Sequence, residues 1–229
     1  PEEAEPLLRR VAEARAGDAT AWATLAACLV DVNRCEAARE AAGRALALAP
    51  DDVEAHMTRA FADLLAGDWA AAWPEYEWRW RRKAFVDAYP PSGLPRWRGE
   101  RLPEGARLWV RGEQGLGDHI QFVRFVGRAA AAAAAPVTVS APPVLHRLLA
   151  GVAGVAEVTA AAGAPPGCVA EVPMMSLPGV FGLTPEGEFG PFPYLAAPDG
   201  PRLPEARGRL KIGVVWGDKP KPRSRSIDP

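Results

Sequence analysis

Residues 1–83 carry a helical pattern that returns with a period of about 34 residues, and nothing else in the chain restricts its fold as much. In the first period Trp22, Leu25, Ala26, Leu29, Ala38, Ala45 and Pro50 read large, large, small, large, small, small and proline. One period on stand His56, Arg59, Ala60, Asp63, Ala72 and Arg79, a looser copy that keeps Ala60 and Ala72 small. Asn33 and Gly67 fall at the same inter-helix turn. Small side chains at these places let the two helices of a hairpin approach closely. Residues 5–16 read as the second helix of a further, truncated repeat, so the first part of the chain is a short helical-hairpin array whose faces are buried only against neighbours.

The last helix shows how the array is finished. Trp69, Trp73, Tyr76 and Trp80 are spaced to line one face, which reads as a packing surface for whatever follows. Pro74 removes one backbone hydrogen bond and predicts a kink near Ala70. Arg79, Arg81, Arg82 and Lys83 are expected to close the helix, where positive charge opposes the negative end of its dipole.

Residues 84–105 form a connector punctuated by Pro90, Pro91, Gly93, Pro95, Gly99 and Pro103, with Trp97 to Glu100 over the junction. Strands and helices then alternate. Strands are predicted at Arg107–Arg111, Val137–Ser140, Ala156–Thr159, Cys168–Val172 and Leu210–Trp216, with helices at 118–134, 143–150 and 176–181. This order implies a parallel sheet wrapped by helices. The domains expected are 1–83 for the helical repeats, 84–105 for the connector, and 106–209 and 210–229 for a first α/β lobe and the start of a second.

The turn after the first strand is the candidate site. Gly112, Gly115 and Gly117 break the chain, Asp118 stands where a helix N-cap belongs, and Ile120, Phe122, Val123 and Val126 are spaced for a buried helical face. A strand, a glycine turn and a helix N-terminus bring backbone N–H groups and a carboxylate to the sheet edge where open α/β folds bind ligands. The spacing G-x-x-G-x-G is neither the dinucleotide fingerprint nor a P-loop, which weakens a nicotinamide oxidoreductase reading. A tight βα connection with no ligand is the alternative.

Composition narrows the partners. Lys and Arg together number 27 against 28 Asp and Glu, so no global field draws the chain to nucleic acid or membrane. Basic residues gather after Gly200 (Arg202, Arg207, Arg209, Lys211, Lys219, Lys221, Arg223, Arg225), which suits an anionic small molecule or a solvated tail. Cys28, Cys35 and Cys168 make no disulfide framework, and with His56, His119 and His146 they make no metal spacing, so no metal and no cofactor are expected. No apolar run is long enough to span a membrane and the N-terminus carries acids, so a cytoplasmic location is expected.

Several segments together resemble one bacterial family. They are Gly67–Trp80, Pro95–Leu102, Gly112–Phe122, Ser176–Pro178, Pro193–Leu195 and Ile212–Trp216, and the likeness runs from Trp22 onward. The family is the tetratricopeptide-repeat proteins fused to a heptosyltransferase-like domain (GT-B, similar to glycosyltransferase family 9). The resemblance implies a repeat array followed by a Rossmann-like parallel lobe, the N-terminal, acceptor-holding half of a GT-B fold. It implies an inverting, metal-independent transfer of a sugar from a nucleotide-sugar donor to a protein or glycan acceptor. Asp118 matches the acidic residue that acts as general base in heptosyltransferases. A helix N-terminus favours the carboxylate anion and so weakens it as a base, and orienting the acceptor is its alternative role. Gly115, Gly117, His119 and Gln121 are the substrate-binding candidates around it. His119 stands where many relatives have a small or hydroxyl residue. Arg225 and Ser226 match the family's Arg-Ser-Ile and are candidates for donor phosphates.

The second lobe barely begins before Pro229, so the chain reads either as a fragment or as a half-transferase that shows little transfer alone. The competing reading is a non-catalytic scaffold, in which the repeat groove takes a peptide and the Rossmann-like lobe is a structural cap.

Overall fold

A computed structural model describes residues 1–196 except Glu188 and Pro191. The predicted strand Leu210–Trp216 and the donor-phosphate candidates Arg225 and Ser226 lie outside the described residues. The 34-residue period is visible in the hydrogen bonds. Helix α2 (Ala19–Asp31) starts at Asp18, whose carboxylate accepts from the Thr20 and Ala21 amides. Helix α4 (Val53–Ala66) starts one period later at Asp52, which accepts from Glu54 and Ala55. Asn33 (φ 57°) and Gly67 (φ 86°) both take the left-handed conformation that ends a helix, and the next amides, Arg34 and Asp68, close back on the Leu29 and Asp63 carbonyls. Helices α1 (Glu5–Ala14), α3 (Cys35–Leu48) and α5 (Trp69–Tyr76) complete the array.

The first repeat packs around Leu25, Ala26, Leu29, Ala38, Ala42 and Ala45, all essentially inaccessible. In the second, chemistry replaces part of that apolar core. Asp63, at the place of Leu29, is 0% exposed with Arg39 Nε 2.6 Å from Oδ1. Burial pushes its carboxyl up, against the pull of Arg39. In the first repeat the Arg44 guanidinium sits 4.6 Å over the Trp22 ring; in the second, His56 and Trp78 stack at 3.5 Å with interplanar angle 10°. His56 stands at the place of Trp22 and Trp78 at the place of Arg44, so the indole has moved to the other helix of the pair.

Two expectations about the junction are corrected. Helix α5 ends at Tyr76, two residues past Pro74, and passes into a 3₁₀ turn over Glu77–Arg81. The basic run therefore does not close a helix. Arg79 is buried, Arg81 pairs with Asp51 at 3.2 Å, Arg82 with Glu54, and Lys83 opens the next helix, α6 (Lys83–Ala88), paired with Asp87. The aromatic stripe does form the packing face. Trp73 Nε1 donates to the Leu183 carbonyl at 2.8 Å, Trp69 meets the Phe189 ring edge-on, and Tyr76 reaches Met175.

The α/β half is a four-stranded, all-parallel sheet in the order β3-β2-β1-β4: β1 (Arg107–Arg111), β2 (Val137–Ser140), β3 (Val155–Thr159) and β4 (Cys168–Pro173). Leu108, Val110, Val137, Val139, Ala170 and Val172 fill one face, under helix α8 (Val126–Ala133), with Trp97 from the connector in the same core. The predicted helix 118–134 is instead broken. Helix α7 runs Leu116–Phe122, a 3₁₀ turn spans Val123–Phe125, and α8 follows. The weak helix formers Ile120, Phe122, Val123, Phe125 and Val126 fall at the break. The short helices α9 (His146–Leu149) and α10 (Leu177–Val180) follow β2 and β4, each after a 3₁₀ turn. The connector adds to the β4 edge, where the Trp97 amide donates to the Glu171 carbonyl and Arg96 bridges to Glu171.

Candidate functional site

The chain leaves β1 toward β2 on one side, while β4 adds on the other. The carboxyl ends of β1 and β4 therefore flank the point where connections diverge, the place where open α/β sheets hold ligands. Two loops meet there: Gly112–Gly115 after β1 and Met174–Ser176 after β4.

The space between these loops is occupied by Arg79 of the helical array. Its Nε and Nη2 donate to the two Glu113 carboxylate oxygens at 3.0 and 2.9 Å. Nη1 donates to the Tyr76 carbonyl and to Glu77, and Nη2 also donates to Ser176 Oγ, so all five guanidinium hydrogens have acceptors. Glu113 Oε1 accepts in addition from the Met175 amide, and Ser176 Oγ donates to Glu77. Arg79 is 1% exposed and Glu113 2%. Burial works against the Arg79 charge, but the Glu113 carboxylate outweighs it and holds the guanidinium above the usual arginine range. Next to it, Gln114 has φ 65° and is tied at both ends: its backbone amide donates to the Tyr89 hydroxyl and its side-chain amide to the Tyr76 hydroxyl at 3.0 Å. Burial raises the Tyr76 phenol, with Arg79 acting the other way.

The sequence candidates distribute unevenly around this turn. Asp118 is not the N-cap. The helix begins a turn earlier with Gly115 as N-cap, and Asp118, at the third helical position, accepts from the Gly115 amide through Oδ2 at 2.8 Å. Gly115 has no side chain to return the bond, so only the backward half of a capping box is present. The start shifts because Gly115 takes the extended N-cap conformation (φ −91°, ψ 174°) without needing a side-chain acceptor.

His119 is buried, with Nδ1 2.8 Å from the Gly115 carbonyl; since a carbonyl only accepts, Nδ1 carries the hydrogen. A Cβ at Gly112 would lie 2.2 Å from both His119 Nε2 and the Ser140 carbonyl, so only glycine fits there. His119 lines a cavity of about 310 Å³ with Tyr89, Trp109, Arg111, Gln114 and Ser140. Asp118 lines none of it. Gly117 and Gln121 are exposed, and a Cβ at Gly117 would touch nothing within 4 Å. The structure thus gathers Gly115, Asp118 and His119 into one turn and leaves Gly117 and Gln121 on its outside.

Comparison with known proteins adds the following. Residues 1–61 match the tetratricopeptide repeat family. No curated protein matches the chain. Among solved structures, a mutant of the Thermobaculum terrenum O-GlcNAc transferase is 22% identical, with TM-score 0.31, over 68% of this chain and 30% of that one. The chain thus spans less than a third of that transferase's length.

Arg79, Glu113, Gln114 and Ser176 were not among the site candidates that the sequence offered. One signal pointed to the first of them: the repeat demands a small residue one period after Ala45, and Arg79 stands there. Among the described residues no group of three or more His, Cys, Asp or Glu is placed to hold a metal, and no helix is long and apolar enough to cross a membrane.

Proposed function

We propose that this chain is the repeat array and acceptor half of a glycosyltransferase, moving a sugar from a nucleotide-sugar to a protein or glycan acceptor in the complete protein. The observation that carries the reading is the bonding of the β1–α7 turn to the end of the repeat array through Arg79–Glu113 and Tyr76–Gln114. A peptide or glycan-bearing segment held in the repeat groove would be delivered to the sheet edge where Asp118 and His119 stand. Asp118 is the first candidate for base or acceptor orientation, because its second oxygen Oδ1 has no partner among the described residues. His119, with Nδ1 engaged, is the alternative through Nε2. Gly115, Gly117 and Gln121 would border the acceptor, and Arg225 with Ser226 would meet donor phosphates. A cytoplasmic location and metal-independent transfer belong to the same reading.

One observation favours the scaffold instead. The crevice between β1 and β4 is filled by a fully bonded Arg79, and a filled crevice suits a structural cap. The test is transfer by the full-length protein from a panel of uridine and guanosine diphosphate sugars. Loss of transfer in Asp118→Asn, with an unchanged melting temperature, supports the enzyme. Transfer untouched by both Asp118→Asn and His119→Gln removes this turn from the chemistry. Absence of transfer together with peptide capture that Arg59→Ala abolishes supports the scaffold.

A further inference from the structure

The sheet has a second face, opposite the apolar core, and apart from Trp109 it carries charged and hydroxyl side chains such as Arg111, Thr138, Ser140 and Glu171. Register places Trp109 of β1 beside Glu171 of β4, and Arg111 follows Trp109 on the same face. Residues 160–162 lie over its β2 side, and the end of α6 (Val86, Ala88) with the connector lies over its β1 and β4 side. Under the connector is a cavity of about 330 Å³ lined by Trp80, Tyr89, Leu94, Arg96, Arg111 and Glu171. Its charges do not close on one another. Arg96 Nε is 3.6 Å from Glu171 Oε1 and Arg111 Nη1 is 3.7 Å from Glu171 Oε2, both too long for hydrogen bonds. Glu171 is 4% exposed, and its Oε2 has no hydrogen-bond partner among the described residues; nor does Trp80 Nε1. Two guanidinium groups thus surround one carboxylate with an acceptor to spare. Arg111 is held in place by its bond to the Pro90 carbonyl at 2.8 Å.

We infer that this cavity binds a small hydroxylated oxyanion, with the oxyanion between Arg96 and Arg111 and a hydroxyl donating to Glu171 Oε2. The positive charge selects the anion, because Arg111 is buried and its nearest carboxylate oxygen is 3.7 Å away, so the cation lacks a full partner. The orphaned carboxylate oxygen selects the hydroxyl, because it needs a donor that neither arginine supplies. Trp80 already carries the Arg96 guanidinium at 4.2 Å, which preorganises the cationic side. Burial pulls the Arg96 guanidinium below its usual range, with Glu171 opposing, and a bound anion would relieve that. The volume is at the lower end for small-molecule sites and fits a molecule of monosaccharide size. This site does not depend on the transferase reading: it lies under the connector, and binding is measured without any donor.

The experiment titrates the full chain with glucuronate, glucose 6-phosphate, glucose and sulfate, by calorimetry and by following the indole N–H signals of ¹⁵N-labelled protein. The expected result is binding of glucuronate or glucose 6-phosphate at about millimolar Kd or tighter, with no response to glucose and a weaker one to sulfate. The better of the two sugars tells a carboxylate site from a phosphate site. The Trp80 indole signal moves, and Arg96→Gln, at a half-exposed position, weakens binding by about tenfold or more. No binding of either sugar anion, an equal response to sulfate, or binding unchanged in Arg96→Gln overturns the inference and leaves the cavity to ordered water. The Trp80 indole signal of the unsubstituted protein decides the matter even where a variant folds poorly.

Discussion

Arg79 and Glu113 are worth more broken than made. A bidentate pair this deeply buried has given up its water, so removing one partner strands a charge, at a cost of about 3–5 kcal/mol. Arg79→Ala and Glu113→Gln are each expected to lose that much in urea unfolding, while the apolar pair Arg79→Met with Glu113→Leu loses far less. Equal losses in all three would mean that packing, not charge, sets the cost. The glycines of the same turn divide in the opposite sense. Gly112→Ala forces a Cβ onto His119 and the Ser140 carbonyl and should destabilise the lobe. Gly117→Ala meets nothing in the first turn of α7 and should stabilise by about 0.5–1 kcal/mol. If Gly117 borders an acceptor, that variant loses transfer while gaining stability, a split that thermal melts and transfer assays read separately.

At the scale of elements, the part of the fold written locally could be read and the part written across elements could not. The four strands are short apolar runs between turn residues, and each lies within a residue of its predicted span. The repeat was readable because Asn33 and Gly67 must turn left-handed at the same phase. The start of α7 was misplaced because an extended glycine serves as N-cap without any side-chain signature, and Asp118 then reads equally well one turn in. The covering of the polar sheet face by the connector had no signal at all, since irregular chain has no period. Asp63 in α4 is where local pattern and tertiary chemistry conflict most, and it makes a prediction about pH. Its carboxyl is raised in the folded state by burial, so folding retains a proton that the unfolded chain releases. The contribution of Asp63 is therefore full below its unfolded value near 3.8 and is lost as pH rises through the raised folded one. The stability of the natural protein relative to Asp63→Asn should fall on going from pH 4 upward; a flat difference would mean that Arg39 cancels the burial.

On the scale of the whole molecule, the repeat array and the sheet are joined by interactions of two kinds, and neither half could supply them alone. The aromatic stripe gives area: Trp73 lies against Gly179, whose added Cβ would come within 3.0 Å, and bonds to the Leu183 carbonyl. The Arg79 cluster gives direction, because a guanidinium with five fixed acceptors permits one orientation of the last repeat turn against the β1 and β4 loops. Two repeats and a remnant are too few to stand without such a cap. Residues 1–196 should therefore unfold in a single transition, with far-ultraviolet circular dichroism and tryptophan fluorescence coincident in urea. The double variant Trp73→Ala, Arg79→Ala removes one joining interaction of each kind and leaves the fully buried apolar residues of both halves in place. Its expected signature is two transitions, with helical signal lost first, since the array has the smaller apolar core and the charged second repeat. A single transition merely shifted to lower urea would show instead that the halves are coupled elsewhere, through Tyr76, Gln114 and Met175, and that the stripe only adds area.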